Sequence, residues 1–222
     1  MIESRNDATW NSPLLKGRRN SIVAGEGIPY LLASVVATVA VGHYVGVLWA
    51  ALPLALVVYL YLVFRDPPRS IPAAPLGVVS PVDGEVLSVG VTENGAVGGE
   101  AQRVMIRVDH LGTYTARCPI EGKIMDLVTD VEVPRDSVAS GGLWVRTDEG
   151  EDVVLQFSGH RFGLPPRAFL RYGERVGQGQ RCAYLRLTRT AEVQLPLAAR
   201  VLVSAGQRVA AGQELLAKLP HH

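Results

Sequence analysis

Hydrophobic positions divide this chain into two unlike parts. From Ile28 to Phe64 no charged residue occurs in thirty-seven positions, and the run stops at Arg65-Asp66-Pro67-Pro68-Arg69. One straight helix of that length would measure about 55 Å, well beyond a hydrocarbon core of roughly 30 Å. The pattern predicts an N-terminal transmembrane helical hairpin instead. Ile28–Val41 would enter, Val45–Phe64 would return, and Gly42-His43-Tyr44 would form the turn. The first arm is short for a full span, so a tilted or re-entrant insertion also fits.

Past Phe64 the helical character disappears. Pro67, Pro68, Pro72 and Pro75 make residues 65–77 a stiff linker. Short apolar runs then recur between glycine-bearing turns, at Val86–Val89, Val104–Val108, Val153–Phe157 and Val193–Leu195. Alternation and β-branched enrichment predict a mostly β domain over 78–222. Two internal echoes sharpen this. Pro81-Val82-Asp83-Gly84-Glu85-Val86 returns as Pro119-Ile120-Glu121-Gly122-Lys123-Ile124, and the G-x-x-V-x-x-G-Q stretch at Gly173–Gln180 returns at Gly206–Gln213. Duplicate strand starts and duplicate turns point to a barrel-sandwich architecture of the lipoyl or biotinyl kind. The expected order is a cytoplasmic leader (1–27), the hairpin (28–64), the linker (65–77) and the β domain.

Charge places the chain and narrows its partners. Lys16, Arg18 and Arg19 precede the apolar run, and Arg65 and Arg69 follow it, so both flanks are expected on the cytoplasmic side of the inner or cell membrane. The polar leader and the apolar run are both too long for a secretory signal. A net charge of +1, without a basic stripe, gives no sign of nucleic-acid binding. The two cysteines, Cys118 and Cys182, lack metal or redox spacing and suit a reducing compartment as small core residues. His221 and His222 end the chain without metal-ligand spacing, so no metal is expected.

Six motifs in order carry a more specific likeness. They are Phe64-Arg65-Asp66-Pro67-Pro68-Arg69, Ser80-Pro81-Val82-Asp83-Gly84-Glu85-Val86, Arg117-Cys118-Pro119-Ile120-Glu121-Gly122-Lys123-Ile124, Gln156-Phe157-Ser158-Gly159, the Gly173–Gly179 turn and Glu192-Val193-Gln194-Leu195-Pro196. Together the chain resembles the phosphatidylserine decarboxylase family in its short, membrane-hairpin form. The resemblance implies a domain that cuts itself at a Gly-Ser bond. Serine attacks the preceding carbonyl, and elimination leaves a pyruvoyl group, the electron sink for decarboxylation. A histidine oriented by an aspartate would activate that serine.

Set against those motifs, the family's aspartate is present as Asp83. Its histidine falls at Tyr114, and its Gly-Ser pair at Thr188-Arg189. Arginine cannot supply the hydroxyl, and a tyrosine with an ordinary pKa near 10 is a poor base. The chain is therefore expected to lack the pyruvoyl group, to stay unprocessed and to bind phospholipid or a partner enzyme. Thr188, Thr190 and His110 are weak alternates for an unusual self-cleavage, which would make the chain an active decarboxylase. Ser158 and Gly159 stand where the resemblance puts the substrate pocket, while Ser158 and His160 do not read as a nucleophile and its base. Arg161, Arg167 and Arg171 could face anionic headgroups. A biotinyl or lipoyl carrier would need Lys123 at an exposed tip. Expected partners are the bilayer, phosphatidylserine headgroups, and a second copy or an intact homologue.

Overall fold

The structure, a computed structural model, describes residues 22–126, 139–159 and 165–220. The first twenty-one residues, with Lys16, Arg18 and Arg19, lie outside the described residues, as do His160, Arg161, His221 and His222.

Two helices open the described chain, α1 (Ile28–Tyr44) and α2 (Ala51–Phe64). Pro29 sits in the first turn of α1, where its missing amide costs no bond. The Ser34 and Thr38 hydroxyls donate back to the carbonyls of Leu31 and Ser34 at 2.9 and 2.8 Å, which keeps both satisfied inside an apolar helix. Arg65 turns extended ahead of Asp66-Pro67 and ends α2. The pair folds back on itself. The Ala24 amide donates to Phe64 O at 2.8 Å, the Asp66 amide to Ile22 O at 2.7 Å, and Val23 bridges Arg65. Gly27 lets the two ends close, since a Cβ there would lie 2.3 Å from the Phe64 ring.

The expected transmembrane helical hairpin is not found. No helix among the described residues is long and apolar enough to cross a membrane. With 17 and 14 residues, α1 and α2 extend about 25 and 21 Å, short of a hydrocarbon core of roughly 30 Å. The physical reason lies in the reversal. Helix α1 runs through Gly42-His43-Tyr44 instead of turning there, and Val45–Ala50 then make the turn, which shortens the returning arm.

The remainder is built of strands, and no helix follows Phe64 among the described residues. They are β1 (Gly77–Val79), β2 (Gly84–Thr92), β3 (Ala101–Val108), β4 (Thr115–Arg117), β5 (Gly122–Asp126), β6 (Ala139–Arg146), β7 (Asp152–Ser158), β8 (Arg167–Ala168), β9 (Arg175–Val176), β10 (Arg181–Tyr184), β11 (Thr190–Leu195), β12 (Arg200–Val201), β13 (Arg208–Val209) and β14 (Leu215–Lys218). Eight of them form one antiparallel sheet in the order β13-β2-β3-β11-β7-β6-β5-β9. Two three-stranded sheets, β1-β14-β12 and β4-β10-β8, complete the domain around a core that includes Ile106, Ile124, Leu155, Leu195 and Leu216.

The sequence echoes occupy matching places in this sheet. Gly84 opens β2 and pairs with Val209 of β13, and Gly122 opens β5 and pairs with Val176 of β9. Each glycine lies under a neighbouring strand. A Cβ on Gly84 would come 2.0 Å from Arg107 O, and one on Gly122 would come 2.3 Å from Arg146 O. Both positions therefore demand glycine. The two edges of the large sheet, β13-β2-β3 and β9-β5-β6, repeat one arrangement.

Candidate functional site

Three side-chain clusters meet where the helix pair joins the β domain. The first is buried and ionic. The Asp66 carboxylate accepts from the Thr115 hydroxyl at 2.6 Å and lies 2.6 Å from Arg181 Nε and 3.6 Å from an Arg117 terminal nitrogen. These side chains are 2%, 5% and 6% exposed for Asp66, Arg181 and Arg117. Arg117 also donates to the carbonyls of Gly179 and Pro67, and Arg181 to the carbonyl of Asp66. Burial lowers the pKa of Arg117, and the Asp66 carboxylate opposes that shift.

The second cluster surrounds Asp83, which follows β1 in the turn before β2. One of its oxygens accepts from Arg69 at 2.8 Å and from the Thr113 amide at 2.9 Å, and the other from the Ala211 amide at 2.7 Å. Arg69 reaches on to Gln213 at 3.0 Å. Asp83 thus ties the chain after α2 to two loops of the β domain.

The third cluster holds Tyr114. Its hydroxyl donates to Glu26 at 3.2 Å, and its ring packs on Phe64 and Tyr184 with centroids 4.7 and 5.8 Å away. Burial first, and then the Glu26 carboxylate, push the phenol far above the ordinary tyrosine range. Glu26 also pairs with Arg186, through Nε at 3.0 Å and a terminal nitrogen, and with Arg167 at 3.6 Å.

Arg186 belongs to a tight turn, Leu185–Thr188, closed by the Thr188 amide on Leu185 O at 3.0 Å. Its central residues, Arg186 and Leu187, both have positive φ, +46° and +65°. That geometry favours Gly or Asn, so each costs on the order of 1–3 kcal/mol. The Thr188 hydroxyl also donates to Leu185 O, and Thr188 is fully buried. A cavity of about 20 Å³ lies beside the turn, walled by Tyr114, His110 and Thr188 together with Val63 and Leu187. Arg189 comes next and is exposed.

Curated relatives match nearly the whole chain. Those of Nitrosomonas eutropha, Cupriavidus metallidurans and Burkholderia ambifaria are each 31% identical over 206, 211 and 211 residues. The matches cover 89% of this chain and 95%, 95% and 96% of the relatives, and each relative is described as a phosphatidylserine decarboxylase proenzyme. The chain belongs to the phosphatidylserine decarboxylase family. No family model matches. A solved structure, glucose permease IIA from Mycoplasma capricolum, is similar at 15% identity and a TM-score of 0.44 over 64% of this chain and 94% of that one.

Within this family member, the structure brings Tyr114, His110 and Thr188 to one small cavity, while Asp83 and His110 line a larger cleft. Arg189 lies across Gly159: a Cβ built there would come 3.3 Å from Arg189 Cβ. Thr190 pairs in register with Ser158 on one side and Arg107 on the other. Arg167 is exposed in β8 and reaches Glu26, and Arg171 is exposed. Lys123 lies inside β5, between Arg146 and Arg175, and not at a hairpin tip, so it does not offer the attachment point a carrier needs.

Sequence reasoning missed Glu26 and Arg186 altogether and named Arg69 only as a membrane flank and as the end of a family motif, without its contact to Asp83. That motif supplied Arg69 but not its partner, since Asp83 lies 14 positions further along the chain. Glu26 left no comparable signal, because its partners lie 88 and 160 positions away.

Proposed function

We propose that this chain is a phosphatidylserine decarboxylase-family protein that does not cleave itself and that works at a phospholipid surface by binding. The reading rests on Arg189, which the motif resemblance sets where the family's chemistry needs a serine. A guanidinium can neither attack the preceding carbonyl as an alkoxide nor eliminate to a ketone. The residues around it do not fit a pyruvoyl group. The Thr188 hydroxyl is spent on Leu185 O, and the Tyr114 phenol stays neutral beside Glu26. Asp83 has both oxygens engaged by Arg69 and two backbone amides. The cavity that Tyr114 and Thr188 border, about 20 Å³, admits a single water.

The helix pair supports the lipid surface. Val36, Val39, Leu48, Trp49 and Leu52 are all strongly exposed, and both helices are apolar on every side. Contiguous exposed apolar surface of this kind is costly in water and suits contact with a bilayer. Both cysteines are buried in the core, in keeping with a β domain on the cytoplasmic side.

The test uses the full-length chain with vesicles containing carboxyl-labelled phosphatidylserine. The protein is expected to float with the vesicles and release no labelled carbon dioxide. Turnover overturns the unprocessed reading, and failure to float overturns the lipid-surface reading.

A further inference from the structure

The larger cleft opens at the foot of α2. Its volume is about 420 Å³ and its charged lining is arginine-rich: Arg65, Arg69, Arg107 and Arg208 against Asp83, Glu85 and Asp109, with His110 at one side. Two of these arginines are already neutralised. Arg69 pairs with Asp83 at 2.8 Å and Arg107 with Glu85 at 2.7 Å. Arg65 and Arg208 have no ion-pair partner among the described residues. The buried Arg65 Nε also has no hydrogen-bond partner there. Asp109 spends one oxygen on the Leu111 amide at 3.0 Å. Four guanidinium groups face three carboxylates, so one positive charge is in excess.

The backbone holds these arginines in place. Arg65 accepts the Tyr114 amide at 3.1 Å and bridges Val23. Arg208, Glu85 and Arg107 stand in one row across β13, β2 and β3, so a single carboxylate lies between two guanidiniums and only Arg107 claims it. Arginine's planar fork matches phosphate oxygens in pairs, and little entropy is lost when its base is already fixed.

We propose that this cleft is a binding site for a phosphate oxyanion, held between Arg65 and Arg208. The phosphate comes from a phospholipid headgroup or from a free phosphate ester. The headgroup source rests on the lipid-surface reading, because α2 ends at Arg65 and would bring the cleft to the phosphate level of a bilayer. The free-ester source does not need that reading.

The experiment titrates the full-length chain with glycerophosphoserine, and separately with inorganic phosphate, by calorimetry. Neither probe requires a bilayer, so a failure of vesicle flotation leaves this test intact. Arg65→Gln is expected to weaken binding of the tighter probe by about tenfold or more, the loss typical of a charge-assisted contact. Arg208→Gln should do the same, and its exposed, unpaired side chain leaves the fold undisturbed. Arg200→Gln removes one charge outside the cleft and is expected to bind as the parent does. Preference for glycerophosphoserine assigns the site to headgroups, and equal binding of inorganic phosphate assigns it to free phosphate. Either result upholds the site. Absence of binding by both probes at millimolar concentration, or equal losses in the Arg65, Arg208 and Arg200 variants, overturns it.

Discussion

Replacing Asp66 with asparagine removes one charge and almost no volume, so its effect isolates the buried ionic cluster. In the parent protein this carboxylate faces Arg181 at 2.6 Å and Arg117 at 3.6 Å, all three side chains being nearly inaccessible. Asparagine would keep one acceptor for the Thr115 hydroxyl but would leave two buried guanidiniums without a countercharge. Removing one partner of a buried pair costs about 3–5 kcal/mol, mostly the penalty on the stranded charge. At roughly 2–4 °C per kcal/mol for a chain of this size, Tm should fall by about 6–20 °C. The comparator is Glu85→Gln, which breaks the Arg107 pair where the two side chains are 39% and 59% exposed. Solvent screens that pair, so its loss should cost about 1 kcal/mol or less. Thermal unfolding of both variants at neutral pH provides the comparison. Equal shifts would refute the reasoning, because burial would then have made no difference.

Two further outcomes follow from the site. Tyr114 is held neutral in the folded chain, while the unfolded chain releases this proton near pH 10. Its stabilising effect is whole below about pH 10 and falls as the pH rises beyond it. The parent Tm should therefore drop more steeply between about pH 9.5 and 11 than that of Tyr114→Phe, and identical slopes would contradict this. Installing the residues that the resemblance implies there, as Thr188→Gly, Arg189→Ser and Tyr114→His together, should yield two fragments divided between residues 188 and 189 on a denaturing gel. An uncut triple variant would place the block elsewhere, with Arg69 on Asp83 as the next contact to test.

What the sequence made legible was whatever it encoded locally. The charge-free run from Ile28 to Phe64 marks the helix pair, but its length alone could not reveal that Val45–Ala50 would be consumed by the reversal. The repeated Gly84 and Gly122 motifs could be read because each glycine answers one steric demand, a carbonyl lying against its Cα. The motif resemblance singled out Asp83, Tyr114 and the Thr188-Arg189 pair. Their surroundings were not legible. Tyr114 is kept neutral by burial and by Glu26, and the strained turn at Arg186-Leu187 is braced by the same carboxylate. These contacts join distant segments, and no local pattern announces them. The division of charges in the cleft was hidden for the same reason, since Arg208 and Arg107 become neighbours of Glu85 only through sheet register.

The central claim is that no hydroxyl is placed to break this backbone. Intact mass of the full-length chain, purified without prior denaturation, measures that directly. The account predicts one unbroken polypeptide of 23.9 kDa with a reactive-carbonyl probe leaving it unlabelled. Two polypeptides divided near residue 188, the smaller one blocked at its N-terminus and labelled by that probe, would contradict it.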